Sequence, residues 1–339
     1  MHYWQPQSFD QRKPYLQKRM HILRAVREFF DSHEYWEVET PTLQTMPCAD
    51  IHIHGFRSEY FGPDLKKIRD FYLHTSPEFE MKKLLVAGAD KIYQICKVYR
   101  NAESTALHSP EFTLLEWYRT GTTYRGIMDE CEAMVKSVAS ALNLTTCHYN
   151  NAVCNLLPPW ERISVAEAFQ KHAGIDLHEA LSSTPIFRAK AEAAGIRVID
   201  SDEWGDIFHA VMADKIEPNL GKETPTFIYD YPVSMACLSK KGKDPRYAER
   251  FELYISGVEL ANAFTELTDA KEQRLRFVEE MKAKQQRYGF SYPVDEDFLS
   301  ALEFGMPECG GIALGLDRLC MLLSGADSIE QVLWCAKPA

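Results

Sequence analysis

Four glutamates, Glu116, Glu252, Glu259 and Glu266, fall within stretches that otherwise read as apolar strands. A carboxylate seldom enters such a strand without a partner, because its charge must leave water. Glu252 and Glu259 flank Gly257 in a segment patterned as a hairpin, and two carboxylates brought together there would repel unless a cation lay between them. Magnesium binds through one or two carboxylates plus phosphate oxygens, so a nucleotide–magnesium site is the chemical reading. The other reading places these glutamates on the wet face of an antiparallel sheet. Arg100, closing a strand-like run before a polar loop, and Arg318, behind Gly310, Gly311 and Gly315, suit phosphate: a guanidinium is a planar fork of donors, and a helix start adds backbone N–H groups. Taken singly, an arginine is more often a surface ion pair than a phosphate ligand. The chain carries no GxSxG, HExxH or GxxxxGK[ST] pattern and no plausible Cys–His nucleophile pair in local sequence, which lowers hydrolase readings without excluding them.

The elements that must hold these residues follow from periodicity. Leu16, Met20, Leu23, Val26 and Phe30 recur at spacings of three and four, which predicts an amphipathic helix over 14–31. A short strand over 36–40 is stopped by Pro41, and a helix over 78–86 has Gly88 as its stop. Strands are predicted over 91–99 and 111–119, with a polar loop between them. Alternation in the second puts Phe112, Leu114, Glu116 and Tyr118 on one face, so a carboxylate and a phenol point the same way. Residues 124–142 and 163–195 read as helical, with a loop near 150–160 that holds Pro158 and Pro159. Residues 226–231 read as a strand, and 251–256 with 258–261 as the hairpin about Gly257. A long charged helix over 269–288 stops at Gly289, and glycines lead into an apolar helix over 316–323. Strands mixed with helices and hairpins indicate an α+β fold around an antiparallel sheet. Without repeats or linkers, a single domain over 1–339 is expected.

Composition narrows the partners. The 339 residues carry 38 Lys+Arg against 49 Asp+Glu, a formal charge of −11, which argues against a protein bound chiefly to a long phosphate backbone. A local basic loop, with Lys240, Lys241, Lys243 and Arg246, either docks a partner or is simply solvated. No stretch approaches the roughly 20 apolar residues of a membrane span, and the start lacks an apolar run behind a basic one. A soluble cytoplasmic protein with no membrane partner is expected. Nine cysteines, an odd number scattered through apolar contexts, suit a reducing compartment. The spacing of Cys147, His148 and Cys154 matches no zinc pattern.

Four stretches, matching three motifs, resemble the class II aminoacyl-tRNA synthetases. VETPTL at 38–43 is similar to motif 1, VYRNAES at 98–104 with EFTLLEWY at 111–118 to motif 2, and GIALGLDRL at 311–319 to motif 3. More narrowly, HTSPEFEMKKLLVAG at 74–88 and ERFELYISGVELANAFTEL at 249–267 are similar to lysyl-tRNA synthetases, and the resemblance covers nearly the whole chain. Those enzymes carry an N-terminal anticodon-binding domain, whereas here the motif 1 helix begins close to Met1. The chain therefore most resembles the truncated lysyl-tRNA synthetase paralogues of the EpmA (PoxA, GenX) family, the elongation factor P–(R)-β-lysine ligases.

That resemblance implies a class II catalytic core, an antiparallel sheet flanked by helices. It implies use of ATP and Mg²⁺ to adenylate (R)-β-lysine, or less efficiently lysine, and transfer to a lysine side chain of elongation factor P. It further implies a homodimer formed through the motif 1 segment and no stable tRNA binding. In residue terms, Ser76, Pro77 and Glu78 would hold the amino group, and Tyr118 and Glu266 would surround the substrate, with Glu116, Asn262 and Phe264 beside them. Ala313, where lysyl-tRNA synthetases usually have Gly, goes with a preference for β-lysine. On the nucleotide, Arg100 matches the α-phosphate ligand, His108 a residue near the outer phosphates and Phe112 the ring stacked on adenine. Glu252 and Glu259 match the magnesium ligands, Leu260 and Gly315 line the nucleotide by backbone, and Arg318 is the motif 3 arginine. Asn101, Ala102 and Ser109 complete the expected ATP contacts, and Arg100 with Arg318 form the catalytic pair.

The residue chemistry agrees without the analogy. A diamino acid needs several buried acids for its two ammonium groups, and Glu78, Glu116 and Glu266 supply them. Attack of its carboxylate on the α-phosphate of ATP needs positioning and charge neutralisation, not a protein nucleophile. Three positions depart from the family pattern: Ala102 stands where a glutamate reads the adenine amine, Ser109 where Asn is usual and Ala263 where Gly is usual. Strand alternation would turn Glu103 away from the side that residue 102 faces, so a weaker hold on ATP is expected. The competing readings are a minimal lysyl-tRNA synthetase, a non-catalytic binding paralogue and an ATP-dependent ligase for a free small molecule.

Overall fold

In the computed structural model, which describes residues 2–157, 159–236 and 238–335, the chain opens with helix α1 (Pro6–Ser32). It is longer than periodicity predicted. Pro6 lies in the first turn, where a missing N–H costs nothing, and the helix continues through Pro14. Leu16, Val26 and Phe30 are buried as expected, but Met20 is 41% exposed because Arg19 and Ile22 take the inner stripe. Strands β1 (Trp36–Glu37), β2 (Leu43–Gln44), β3 (Arg57–Phe61) and β4 (Lys67–Leu73) follow. The last three pair in the order β2–β4–β3. That small sheet left no periodic trace, since almost none of its residues is buried.

Helix α2 (Glu78–Val86) and strands β5 (Lys91–Tyr99) and β6 (Glu111–Thr120) fall where periodicity placed them. Helix α3 (Tyr124–Ala141), hairpin strands β7 (Thr146–Tyr149) and β8 (Ala152–Asn155), and β9 (Glu161–Ser164) come next. A helical lobe of α4 (Val165–Ala173), α5 (Leu177–Ala180), α6 (Thr184–Ala193) and α7 (Trp204–Val211) packs Phe169, Phe187 and Phe208 into a core of its own. The chain returns through β10 (Thr226–Pro232), β11 (Tyr247–Ile255) and β12 (Val258–Thr265). Ser256 and Gly257, at φ 53° and 75°, form the two-residue turn between the last two. Helix α8 (Ala270–Tyr288) is capped by Asp269 and ends at a left-handed Gly289. The final elements are α9 (Glu296–Gly305), β13 (Cys309–Gly315) and α10 (Leu316–Ser324).

Among the described residues the main sheet has eight strands in the order β1–β5–β6–β13–β12–β11–β10–β9, antiparallel except for its two edge pairs. Strand β13 corrects the sequence reading, which took its glycines only as a lead-in to a helix. Glycine is a poor strand former, but here a side chain has no room: a Cβ on Gly310 would meet Ile127 at 2.5 Å, and one on Gly311 would overlap Tyr118 and Glu266. Alternation gives the sheet two faces. Leu115, Trp117, Ala263, Ile312 and Leu314 pack with α1, α3 and α10 in the largest core. The neighbouring residues Glu116, Tyr118, Asn262, Phe264 and Ala313 face a cleft on the other side. Its far wall is built on Phe79, Phe277 and Phe298, which pack α2, α8 and α9 together.

A buried ion pair fixes the start of α10. Arg19 meets Asp317 at 2.5 Å, and Asp317 also accepts the Thr113 N–H of β6 at 2.7 Å. Replacing Arg19 by methionine is expected to destabilise the protein by about 3–5 kcal/mol in denaturant unfolding, because it strands a buried carboxylate. A change below about 0.5 kcal/mol would mean that Asp317 finds another partner. The described cysteines are free thiols, and Pro158 and Cys237 lie outside the described residues. No described helix is long and apolar enough to cross a membrane.

Candidate active site

The cleft has a volume of about 450 Å³, within the range of small-molecule sites. Strand register orders its floor: Gly311 lies beside Tyr118 and Phe264, Ala313 beside Glu116 and Asn262, and Gly315 beside Leu114. At roughly 3.3 Å per residue, the Gly311 and Gly315 ends are about 13 Å apart, so the cleft is long enough for two chemically different groups.

The Gly311 end is acidic. Ser76 Oγ donates to Glu116 Oε1 at 2.6 Å, and the Tyr118 hydroxyl donates to Glu116 Oε2 at 3.1 Å. Glu116 and Glu266 are 0% and 1% exposed. Burial pushes the Glu116 carboxyl up to about 8, against the hydrogen bonds from Ser76 and Tyr118. Burial likewise pushes Glu266 up to about 7, with Lys82 opposing and Glu78 reinforcing the rise. Acids held this close to neutrality give up a proton readily when an ammonium group arrives.

The Gly315 end is cationic. Arg318 donates to the Glu259 carbonyl at 2.6 Å and to His108 Nε2 at 2.7 Å. Burial and then the charge of Arg318 hold His108 below its usual value. The neutral ring therefore accepts at Nε2 and carries its proton on Nδ1, 2.7 Å from Thr105 Oγ1. Arg100 stacks over Phe112, its guanidinium 5.2 Å from the ring centre. Glu252 accepts from Arg250 at 2.6 Å and from the Tyr254 hydroxyl at 2.9 Å. A bulge after Leu253 sets Glu252 opposite Asn262 and Tyr254 opposite Glu259. Glu259 keeps 43% of its side chain open, and desolvation in the cleft and then the charge of Glu252 hold its carboxyl above the ordinary range. Among the described residues no three His, Cys, Asp or Glu side chains form a metal cage. Glu259, whose carboxyl is held up by desolvation and then by the charge of Glu252, forms with Glu252 a pair of cleft carboxylates that fits a hard cation taking its remaining ligands from phosphate and water.

Ser76, Glu78, Asn262, Phe264, Glu266 and Ala313 line this cleft, as do Arg100, His108, Ser109, Phe112, Glu252, Glu259, Leu260, Gly315 and Arg318. Three expected contacts do not. Pro77 is buried at the start of α2, where it turns the chain. Asn101 is exposed and turns its Oδ1 back on the Ala102 N–H at 2.9 Å. Ala102, also exposed, takes φ 65°. This segment is a turn and not a strand, so alternation does not apply and Glu103 faces the cleft. Ala263 packs in the core behind the sheet and leaves the nucleotide end unaffected.

Sequence reasoning missed Arg250, Lys82 and Gln273. Arg250 shares the period-2 face of Glu252 and bridges it to Asn262 Oδ1 at 3.2 Å. Lys82 lies one helical turn after Glu78, and pairs with it. Gln273 is 1% exposed and lines the cleft with both amide atoms unpartnered. Its spacing of four from Phe277 was the available signal within a helix read as charged. The basic loop is largely neutralised: Lys240 pairs with Glu308, Lys241 with Glu272 and Arg246 with Asp244. That leaves it poorly suited to docking through charge.

The sequence pattern of the tRNA synthetases class II (D, K and N) matches residues 7–337. The chain is 38% identical over 332 residues to the elongation factor P–(R)-β-lysine ligases of Salmonella paratyphi B, Salmonella schwarzengrund and Salmonella arizonae. These alignments span 97% of this chain and 96% of each relative.

Proposed function

Because this chain belongs to the class II tRNA synthetase family of the D, K and N group, we propose that it is an ATP-dependent ligase that adenylates a diamino acid and passes it to a protein amine. The substrate is (R)-β-lysine, or less efficiently lysine, and the acceptor is a lysine side chain of elongation factor P, the pair named for its relatives. The observation that carries this reading is one cleft with buried Glu116 and Glu266 at one end and Arg100 and Arg318 at the other.

In the first step the amino acid's carboxylate attacks the α-phosphorus of ATP and pyrophosphate leaves. Glu116 and Glu266 hold the ammonium groups, while Arg100 and Arg318 face the charge that grows on the phosphate oxygens. Mg²⁺, held by Glu252 and Glu259 when bound, would neutralise phosphate charge. In the second step a neutral lysine amine of the partner attacks the acyl carbon, an amide forms and AMP leaves. No side chain need become covalently modified.

A homodimer through the motif 1 segment is part of the proposal. Met20, Trp36 and Leu43 are 41%, 68% and 46% exposed on α1 and the strands that follow it, an apolar surface suited to a second copy. The proposal also places the enzyme in the cytoplasm as one catalytic domain without stable tRNA binding.

Intact-mass analysis of elongation factor P after incubation with the enzyme, ATP, Mg²⁺ and each lysine isomer tests the function. The expected result is a gain of one aminoacyl unit with (R)-β-lysine. Charging of tRNA at a comparable rate, or no pyrophosphate exchange with any diamino acid, would overturn it. The raised Glu116 carboxyl gives a second prediction. Near pH 7 it holds a proton in the free protein, and a bound ammonium group favours its ionised form. Diamino-acid binding should therefore release protons and tighten as pH rises from 6 towards 8, seen by calorimetry in buffers of different ionisation enthalpy. Affinity that is flat or falls over that range contradicts the assignment of Glu116.

A further inference from the structure

Lys82 is 1% exposed and does not line the cleft, whereas both acids it contacts do. On α2 it pairs with Glu78, and it reaches Oε2 of Glu266, the residue that follows β12, at 2.5 Å. We infer that Lys82 is a positioning residue that sets the charge of the acidic end, holding Glu78 and Glu266 in place and leaving that end with the double negative charge that two ammonium groups neutralise. This inference rests on the reading of the cleft as a diamino-acid site.

Charge and burial argue for it together. Glu78, Glu116 and Glu266 fully ionised carry three negative charges, and one ammonium reduces them to two. A substrate with a single ammonium would leave one acid protonated and without its ion pair, so the same arrangement favours diamino acids. The groups that face the Lys82 pair are Glu78 on its own helix, Glu266 just after β12, Tyr118 on β6 and Cys309 on β13, with Glu116 next to Tyr118. Burial alone would depress the ammonium, and the charges of Glu266 and Glu78 more than reverse this. Removing it takes away the one group that opposes the rise of the Glu266 carboxyl. Glu266 would then hold its proton to higher pH and accept an ammonium poorly.

The test compares wild type, Lys82→Met and Lys82→Arg in diamino-acid-dependent pyrophosphate exchange from pH 6 to 9, with thermal unfolding measured in parallel. Methionine keeps the length of the side chain and removes its charge. The expected result for Lys82→Met is a KM for the diamino acid raised about tenfold per pKa unit gained by Glu266, receding as pH rises, with KM for ATP nearly unchanged. Lys82→Arg should restore much of the loss. An active wild type with Lys82→Met unchanged in KM and pH profile would overturn the role of Lys82 alone. So would a loss that is the same at every pH, or one that affects both substrates equally, since either marks a purely structural role. A wild type that exchanges with no diamino acid would overturn the functional reading and this inference with it.

Discussion

Replacing Arg318 by alanine is expected to slow diamino-acid-dependent pyrophosphate exchange by about 10²–10³-fold, the usual loss when one fixed donor to a developing oxyanion is removed. The side chain is braced from two sides, by the Glu259 carbonyl at 2.6 Å and by His108 at 2.7 Å. It leaves α10 one residue after Asp317, which Arg19 anchors. Its fork is therefore held before substrate arrives, and its effect should fall on kcat more than on the KM of the diamino acid. The buried pair beneath it is untouched, so the fold should survive. Lysine should rescue poorly, because an ammonium cannot reproduce the two braces and still present a donor to phosphate. A variant that keeps the wild-type rate would show that the nucleotide does not use this end of the cleft.

Alanine at Gly311 should have the opposite signature, loss of the diamino acid with ATP still bound. The added methyl would overlap both the Tyr118 ring and the Glu266 carboxylate. Neither can swing aside freely, since Tyr118 is tied to Glu116 at 3.1 Å and Glu266 to Lys82 at 2.5 Å. Overpacking of this kind costs about 1–3 kcal/mol. If the displaced acids lose their alignment by that amount, KM for the diamino acid rises about 10- to 100-fold. Calorimetric titration with ATP and with lysine, done separately, checks it. Equal loss of both ligands would mean that the strand itself had unravelled.

Much of this site could be read before any coordinates. Period-2 alternation in 111–119 put Glu116 and Tyr118 together, and they are hydrogen-bonded. The acids around Gly257 were legible as a pair, although the bulge after Leu253 places Glu252 opposite Asn262 and not opposite Glu259. Bulges leave no local composition signal, and neither do the non-local pairings that make a glycine run such as 309–315 a central strand. Residue 102 misled for a related reason: its left-handed backbone is a property of the folded turn, and it redirects Glu103. Lys82 and Gln273 were hidden in helices, where their polar type suggested solvent and only tertiary packing buries them.

The two-faced sheet constrains how this chain can change over evolutionary time. In the stretch of β12 beyond its bulge and in β13, Asn262, Phe264 and Ala313 face the cleft while Ala263 and Leu314 pack in the core on the other side. A deletion or insertion of one residue within either strand would send Ala263 or Leu314 outward and drive Asn262 into packed hydrocarbon. Lineages can therefore drift in length only where the chain leaves the sheet, or in the strands by compensated steps of two. Substrate range in such an enzyme should diversify by exchanging side chains such as Ala313 in place, while indels accumulate in the loops and the helical lobe.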